Sequence, residues 1–489
     1  MTILWVLILL WFIRTAKAIL FWLYLWQLKE YHIGRFIDHF RTAKGKELLF
    51  SPLLLGKILL FFGLLWYPAL IWAFFLLYGA ESANAARGFF RKKLLRPVFT
   101  LKTIVLTAAG LFVQVLFLIF TFVFFQKTFF QFLLAGDIFI PFFVSLFVLA
   151  FQPFAVLGKR RIIQKAIEKR VKLPNLKVVG ITGSYGKTST KEFLAHILSQ
   201  KFKVLKTKEH QNSEVGIAQC ILNELQPEHE VFVCEMGAYN KGGIRLLASI
   251  AKPQIGILTG INEQHMATFG SQENIIKAKY ELIESLPPNG VAFFNSKNTY
   301  CVDLYNKTTV KKVLYGQGAR FRGEENILGA MAVAKELGMS DEEIASAVKE
   351  LENTFPGVQI RKGAGGFTVI DATYSANPDG VIANLEYLKT FPSKKVIVMP
   401  CLIELGKASK EVHKRIGEKI AEVCDLAIIT TKDRFEDIIE GAKGSQKVLF
   451  LENPEEIVEK IKSTTTAGDV VLLEGRVPKE LCKLLYVQS

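Results

Sequence analysis

Cysteine is scarce in this sequence, and its placement excludes more than its number does. Cys220, Cys234, Cys301, Cys401, Cys424 and Cys482 are the six cysteines of the chain. No CxxC pair or zinc-type spacing occurs, so neither a disulfide framework nor a zinc module is expected, and a reducing compartment fits. Each cysteine reads as a small buried apolar residue. Internal repeats and low-complexity tracts are absent as well, which removes the repeat architectures. Acid is also in short supply: 45 Asp and Glu stand against 61 Lys and Arg, a net charge of +16. Such a balance raises nucleic acid as a partner. No nucleic-acid module accompanies the charge, however, and the basic clusters lie beside apolar segments, so a lipid surface or an anionic substrate is the expected partner and nucleic acid is not.

What the chain has in excess is apolar bulk. Half of it is hydrophobic, with 39 Phe and a mean hydropathy of +0.27. The excess is confined to residues 1–157, which are expected to form a helical membrane region. A helix needs ~20 apolar residues to cross the hydrocarbon core. Four stretches approach this: Ile3 to Trp26, Ile58 to Tyr78, Leu101 to Phe125 and Phe129 to Leu157. The first carries Arg14 and Lys17, costly at mid-bilayer; it lacks a small-residue cleavage site and reads as a retained anchor. Basic clusters follow the first stretch (Lys29, Arg35, Arg41, Lys44, Lys46), precede the third (Arg87, Arg91, Lys92, Lys93, Arg96) and follow the fourth (Lys159, Arg160, Arg161, Lys165, Lys169, Arg170). The positive-inside rule assigns all three to the cytoplasm, but four simple crossings separate the first two. A broken or re-entrant hairpin over Leu48 to Tyr78, with Pro52, Lys57 and Pro68, would repair the conflict.

Residues 158–174 form a basic linker ended by Pro174, and an ordinary α/β chain follows. The run Leu176 to Gly183 is a short buried strand. Ser184-Tyr185-Gly186-Lys187-Thr188-Ser189 comes next, then apolar residues at helical spacing. Strand, glycine-bearing turn and helix N-terminus together make a phosphate cradle. Lys187 supplies charge for the β/γ-phosphates, and the Thr188 hydroxyl can meet Mg²⁺. Ile181 stands where the usual GxxxxGK[ST] spacing has its first glycine. A tight turn would explain Gly183 and Gly186 but not Lys187. Glu235, after VFVC, and His265, after IGILTGI, fall at the expected carboxyl ends of parallel strands, where ligands gather. Glu235 suits a hard cation; His265 alone would read as a loop residue.

TGSYGKTSTK (182–191), EMGAYNKGGIRLL (235–247), KPQIGILTGINEQHMATFGSQENIIKAKYELI (252–283), DATYSANPDG (371–380) and IELGKASKEVHKRIGE (403–418) resemble, in family order, the Mur ligases. The resemblance is greatest to the branch that adds D-alanyl-D-alanine to UDP-N-acetylmuramoyl-tripeptide (MurF), and it runs from Leu176 to about Leu485. It implies an ATP-dependent carboxylate–amine ligase working through an acyl phosphate. A P-loop central domain (175–362), a linker at Gly363 to Gly366 and a Rossmann-like C-terminal domain (367–489) would carry it. By the same resemblance Gly183, Ser184, Tyr185, Gly186, Lys187, Thr188 and Ser189 hold the triphosphate. Asn295, Asn326, Asp371, Tyr374 and Asn377 fall at nucleotide-contact or closure positions. Thr188 and Glu235 serve one Mg²⁺; His265 and Lys279, the latter carbamylated, serve a second. Lys187, Lys279 and His265 are the implied catalytic residues.

The sequence departs from the family pattern at Ala372, Glu325, Gly329, Gly357-Val358, Pro400-Cys401-Leu402 and Glu474-Gly475-Arg476. The larger departure is that membrane segments occupy the place of the usual UDP-binding domain. The expected setting is therefore the bacterial cytoplasmic membrane, multi-pass, with the catalytic part in the cytoplasm. Expected partners are the bilayer, a UDP- or lipid-linked cell-wall peptide precursor, an amine such as D-alanyl-D-alanine, and other envelope-synthesis proteins. A poly-γ-glutamate-type polymer synthase subunit and a non-catalytic ATP-binding envelope scaffold are the alternatives.

Overall fold

The computed structural model describes residues 2–91, 94–209, 211–319, 323–351, 359–373 and 376–486. The chain divides into two units, Met1–Lys159 and Arg160–Ser489.

The first unit is helical: α1 (Thr2–Leu28), α2 (Ile33–His39), α3 (Ala43–Leu49), α4 (Pro52–Trp66), α5 (Ile71–Phe90), α6 (Leu101–Phe124) and the start of α7 (Phe129–Val171). Among the described residues five segments are long and apolar enough to cross a membrane: Ile3–Leu28, Lys44–Trp66, Pro68–Phe90, Leu101–Phe124 and Gln126–Val171. The sequence suggests four stretches; the structure divides the second. Pro68 lacks a backbone N–H and disfavours helix at Tyr67, so the chain breaks there and α4 and α5 form separate helices. The apolar faces pack inward through residues such as Leu7, Trp11, Leu64, Phe74 and Leu133. The indole of Trp11 reaches Leu133 O at 2.8 Å, and that of Trp26 reaches Ser145 Oγ at 3.0 Å.

A charged network crosses this apolar packing. Lys57 of α4 lies 2.6 Å from Asp137 Oδ2 of α7 and 2.7 Å from Glu81 Oε2 of α5. Arg14 of α1 pairs with Glu81, and the Tyr78 hydroxyl donates to Asp137 Oδ2 at 2.9 Å. Two cations and two anions from four helices thus neutralise one another with little exposure.

The second unit carries two six-stranded sheets. The first contains β1 (Lys177–Thr182), β2 (Val204–Lys206), β3 (Val231–Glu235), β4 (Ile255–Leu258), β5 (Val291–Asn295) and β6 (Lys311–Tyr315). Between and after them run α8 (Lys187–Leu198), α9 (Glu214–Asn223), α10 (Gly243–Ala251), α11 (Met266–Phe269), α12 (Gln272–Glu284), α13 (Thr299–Lys307), α14 (Glu324–Glu336) and α15 (Asp341–Leu351). The strand order is β2-β3-β1-β4-β5-β6, and all neighbours are parallel. Successive residues of β1 enter opposite cores, Val178 one and Val179 the other, as expected of a parallel sheet covered by helices on both faces. The connections after the neighbouring strands β1 and β4 leave in opposite directions, the arrangement that opens a crevice beyond their carboxyl ends. The last turn of α7 belongs to this packing. Arg170, expected in a basic surface cluster, is buried and donates to Ala251 O, Leu173 O and Leu176 O at 3.0, 2.7 and 3.1 Å.

The second sheet contains β7 (Gln359–Lys362), β8 (Thr368–Ala372), β9 (Lys395–Met399), β10 (Leu426–Ile429), β11 (Val448–Phe450) and β12 (Val470–Glu474). Its helices are α16 (Pro378–Lys389), α17 (Ser409–Val423), α18 (Phe435–Gly441), α19 (Pro454–Thr464) and α20 (Lys479–Leu485). Its order is β11-β10-β9-β12-β8-β7, parallel except for β7. The expected linker at Gly363 to Gly366 is instead the turn of the β7–β8 hairpin: Gly363 N donates to Phe367 O at 2.9 Å and Ala364 N to Leu485 O at 2.8 Å. Residues 359–362, expected to end the first α/β domain, therefore open the second.

Removing one member of the charged network leaves the others buried without compensation, a loss of about 3–5 kcal/mol for such pairs. Lys57→Ala is expected to lower the thermal midpoint of the detergent-solubilised protein, and Lys57→Met combined with Asp137→Leu to recover much of it. Circular dichroism against temperature checks both.

Candidate active site

Strand β1 ends at Thr182, and four residues turn the chain into α8. Gly183 (φ +156°) and Gly186 (φ +78°) make this turn possible. A Cβ on Gly183 would collide with Thr259 Oγ1, and one on Gly186 would lie 2.6 Å from Asn326 Oδ1. The turn is tied to the loop after β4. Ser184 N donates to Gly260 O at 2.7 Å, Asn262 N donates to Ser184 Oγ at 3.2 Å, and Thr259 Oγ1 donates to Tyr185 O. The Tyr185 ring covers Gly260, and its hydroxyl accepts from Asn298 Nδ2 at 3.3 Å. Lys187 bends back over the turn, donating to Gly183 O at 2.8 Å and Ser184 O at 3.1 Å. Burial lowers its pKa, with Glu235 opposing. Ser189 follows, half-buried, in the first turn of α8. The unsatisfied N–H groups and the dipole at this helix end favour an anion.

Glu235, the last residue of β3, faces the same helix. Its Oε2 accepts from Thr188 Oγ1 at 3.0 Å, and its Oε1 accepts from Asn212 Nδ2 at 3.0 Å. Lys191 Nζ lies 3.4 Å from Oε2 and 3.2 Å from Glu192 Oε1, fully buried. Sequence reasoning missed Lys191 and Asn212. The first is one helical turn beyond Lys187, a usable signal; the second sits in a loop with no pattern.

His265 ends the loop after β4 in a left-handed conformation, φ +64°. Its Nδ1 is 2.6 Å from Glu404 Oε2 of the second α/β domain, and the Tyr239 ring stands edge-on at 4.9 Å between centroids. Burial lowers the His265 pKa; Glu404 opposes this, while Lys279 and Lys187 add to it. Lys279, on α12, is buried with its amine 5.7 Å over the Phe269 ring. Burial first and Lys187 second depress its pKa to about 7, against Glu281.

Asn326 meets the start of α8, its Oδ1 accepting from Thr190 Oγ1 at 3.2 Å. Asn295 lies beneath, donating to Thr259 O at 2.8 Å and accepting from Lys297 N at 2.9 Å. Asn377 caps α16, accepting from Gly380 N at 3.0 Å, and also meets Asn262 Nδ2 at 2.9 Å. Asn262 donates to Asp379 Oδ2 as well, at 3.0 Å. Asp371 is engaged by its own domain: Thr373 Oγ1 at 2.7 Å, the Tyr486 hydroxyl at 2.6 Å and Arg361 at 3.5 Å. Burial would raise its pKa, but these donors outweigh it and the net shift is downward. Tyr374 lies outside the described residues.

Two departures from the family pattern have local causes. Glu325 folds onto its own helix start, accepting from Gly323 N at 2.7 Å. At Gly329 the Tyr315 ring fills the space, 2.7 Å from where a Cβ would stand. Among the described residues no group of three or more His, Cys, Asp or Glu could hold a metal ion. The hard oxygens of Thr188 and Glu235 nevertheless fit Mg²⁺, which usually takes one or two protein ligands and completes its shell with waters and substrate phosphates.

Residues 181–347 match the Mur ligase middle domain, and residues 358–477 match the Mur ligase, glutamate ligase domain. The UDP-N-acetylmuramoyl-tripeptide–D-alanyl-D-alanine ligase of Synechocystis is 30% identical over 328 residues, 61% of this chain and 71% of that protein. The chain belongs to the Mur ligase family. It is an ATP-dependent ligase. The corresponding Bacillus subtilis protein is 27% identical to this Mur ligase over 334 residues, 61% of this chain and 73% of that one. The MurF ligase of Thermotoga maritima, solved in complex with ADP, superposes with a TM-score of 0.58 at 27% identity, covering 67% of this chain and 83% of its own. A MurF of Acinetobacter baumannii shares the fold, with a TM-score of 0.60 at 24% identity over 67% of this chain and 80% of that one. Mur ligases use ATP and Mg²⁺.

Asn262 bridges the two α/β domains of this Mur ligase through Asn377 and Asp379. Asn262→Ala is expected to speed amide hydrogen exchange several-fold in residues 259–267 and 376–380 while β1 stays protected, as mass-spectrometric exchange would read.

Proposed function

We propose that this Mur ligase joins a muramyl-tripeptide carboxylate to D-alanyl-D-alanine or a similar amine at the inner face of the bacterial cytoplasmic membrane. The reading is carried by one juxtaposition: the Lys187 turn, Glu235 and the His265 loop share the carboxyl edge of the first sheet, and the second α/β domain touches that edge. The P-loop domain (175–351) holds the triphosphate on residues 183–189, with Asn295 and Asn326 beside it. The Rossmann-like domain (359–489) closes over it through Asn377, with Asp371 and Tyr374 in the same motif. Thr188 and Glu235 would hold one Mg²⁺, and His265 with a carbamylated Lys279 would hold another. Bound Mg²⁺ supplies charge to offset the transferring phosphoryl group.

Lys187 steadies the γ-phosphate as a substrate carboxylate oxygen attacks its phosphorus; the bond to the bridging oxygen of the β-phosphate breaks, ADP leaves and an acyl phosphate results. The acceptor amine then attacks the acyl carbon and phosphate leaves. Contact between the domains excludes the water that would hydrolyse the acyl phosphate. Lys279 is suited to carbamylation because a buried lysine with a pKa near 7 is substantially neutral at pH 7, and only the neutral amine adds CO₂.

Residues 1–157 form the membrane region and 158–174 the basic linker. Five crossings by the helices around Ile3–Leu28, Lys44–Trp66, Pro68–Phe90, Leu101–Phe124 and Gln126–Val171 put all three basic clusters on the cytoplasmic side, as the positive-inside rule requires. The depth of the charged network supports this. At 1.5 Å per residue, Arg14, Lys57, Glu81 and Asp137 lie roughly 14–17 Å from Ile3, Trp66, Ile71 and Gln126, about half the thickness of the hydrocarbon core. Trp66, Tyr67 and Trp72 are exposed at the opposite turn, where interfacial aromatics belong. A membrane setting fits a lipid-linked precursor; a UDP-linked one requires only that the helices be an anchor.

Detergent-purified protein is expected to release ADP only with Mg²⁺, ATP, an amine and a muramyl-tripeptide donor, UDP- or lipid-linked. Lys187→Ala and Lys279→Ala should each reduce turnover by at least 100-fold. Bicarbonate depletion should lower activity more steeply below pH 7, where Lys279 gains its proton. Nucleotide binding with no turnover on any donor and amine would leave a scaffold; glutamate polymer formation would make it a polymer synthase. For topology, single cysteines at 46, 91 and 160 should resist a membrane-impermeant maleimide in intact cells, and one at 67 should react.

A further inference from the structure

His265 sits at a joint between two domains. Its loop, on the first α/β domain, is gripped by the second at four places besides its ring. Asn262 meets Asn377 and Asp379 at 2.9 and 3.0 Å. Glu263 pairs with Arg415 at 3.6 Å. Ala267 N donates to Glu404 O at 3.0 Å. These contacts hold the backbone whatever the Glu404 side chain does. The side chain does something separate: its Oε2 stands 2.6 Å from His265 Nδ1. A carboxylate only accepts, so the imidazole proton resides on Nδ1, and Nε2 keeps a lone pair. Both residues have φ of +64°, a conformation uncommon outside glycine that persists where surroundings enforce it. The Tyr239 ring, edge-on at 4.9 Å, limits rotation of the imidazole from another side.

We propose that Glu404 is a positioning residue for His265: it fixes the Nδ1–H tautomer and ring direction, so that Nε2 is available to a divalent cation only when the two α/β domains are together. This rests on the reading of His265 as a metal ligand. Residues that hold the second nitrogen of a ligating histidine set its tautomer and orientation, and their loss typically costs 10–100-fold in metal affinity. Here that residue comes from the opposite domain, so the metal site is complete only in the joined state.

The test uses the full-length detergent-solubilised protein with Mn²⁺ and a non-hydrolysable ATP analogue, read by electron paramagnetic resonance titration. Wild type, His265→Ala, Glu404→Ala and Glu404→Gln are compared. His265→Ala should lose one Mn²⁺ site and keep the nucleotide. Glu404→Ala should weaken that same site by 10–100-fold and leave nucleotide affinity unchanged. In turnover, its KM for Mg²⁺ should rise far more than kcat falls. Glu404→Gln keeps an acceptor oxygen for Nδ1–H and should retain most of the site. Wild-type Mn²⁺ binding in Glu404→Ala, beside loss in His265→Ala, overturns the positioning role and spares the ligand reading. Unchanged Mn²⁺ binding in His265→Ala overturns the ligand reading itself. Should Glu404→Ala fail to fold, Glu404→Gln decides: a site weakened as much as in His265→Ala overturns the proposal, and a retained site supports it.

Discussion

A charge taken out of water must meet an opposite charge or a set of donors, and much of this protein is arranged around that requirement. In the first unit Lys57 is surrounded by apolar helices and answered by Asp137 and Glu81. In the second, Glu235 at the end of a buried strand is answered by Thr188, Asn212 and Lys191. For Lys279, burial and then the nearby Lys187 outweigh the pull of Glu281, and the amine is pushed toward neutrality. Each case joins segments distant in sequence. The helices and strands themselves could form from local pattern and burial alone; it is the charged contacts that specify which partner stands where.

The parts legible in the sequence were those whose physics is local. A buried strand, a glycine turn and a helix beginning with Lys187 can be read within a dozen residues, and the structure has them there. Strands β8 to β12 of the second sheet lie in short apolar runs rich in β-branched residues, a signal as local as that of β1. Gly363 to Gly366 misled because a glycine-rich hairpin turn and a flexible linker look alike until the antiparallel partner of β8 is known. The apolar stretch around Pro68 was continuous in composition; Pro68 marked a break within it, and the backbone separates α4 from α5 there. Glu404 and Asn212 were invisible because each acts on a residue far away in the chain. Asp371 was singled out by its motif, yet in the structure it is held by Tyr486 and Arg361 of its own domain.

Departures from the family pattern look less like decay once their neighbours are known. Gly329 is packed under the Tyr315 ring, whose hydroxyl donates to Leu258 O at 3.2 Å. A larger residue there would press on the strand that leads into the His265 loop. Glu325 satisfies the start of its own helix. Both substitutions lie on α14, beside the turn between β1 and α8, while the residues of that turn and Glu235 keep mutual contacts. The chain has altered the wall of the site and retained its floor.

The charged network also constrains how the first unit is made. Lys57 precedes Asp137 by 80 residues, and Arg14 precedes Glu81 by 67. Lys57 also pairs with Glu81, which is made 24 residues after it; at ~5–20 residues per second Arg14 waits roughly 3–13 seconds and Lys57 about 1–5 seconds for Glu81. A helix bearing an unanswered lysine or arginine is poorly retained in lipid during that interval. On the proposed membrane placement, α1 and α4 would therefore enter the bilayer as a set with α5, once Glu81 has emerged. On that placement the helices would be delivered cooperatively, with α7 and its Asp137 closing the group last.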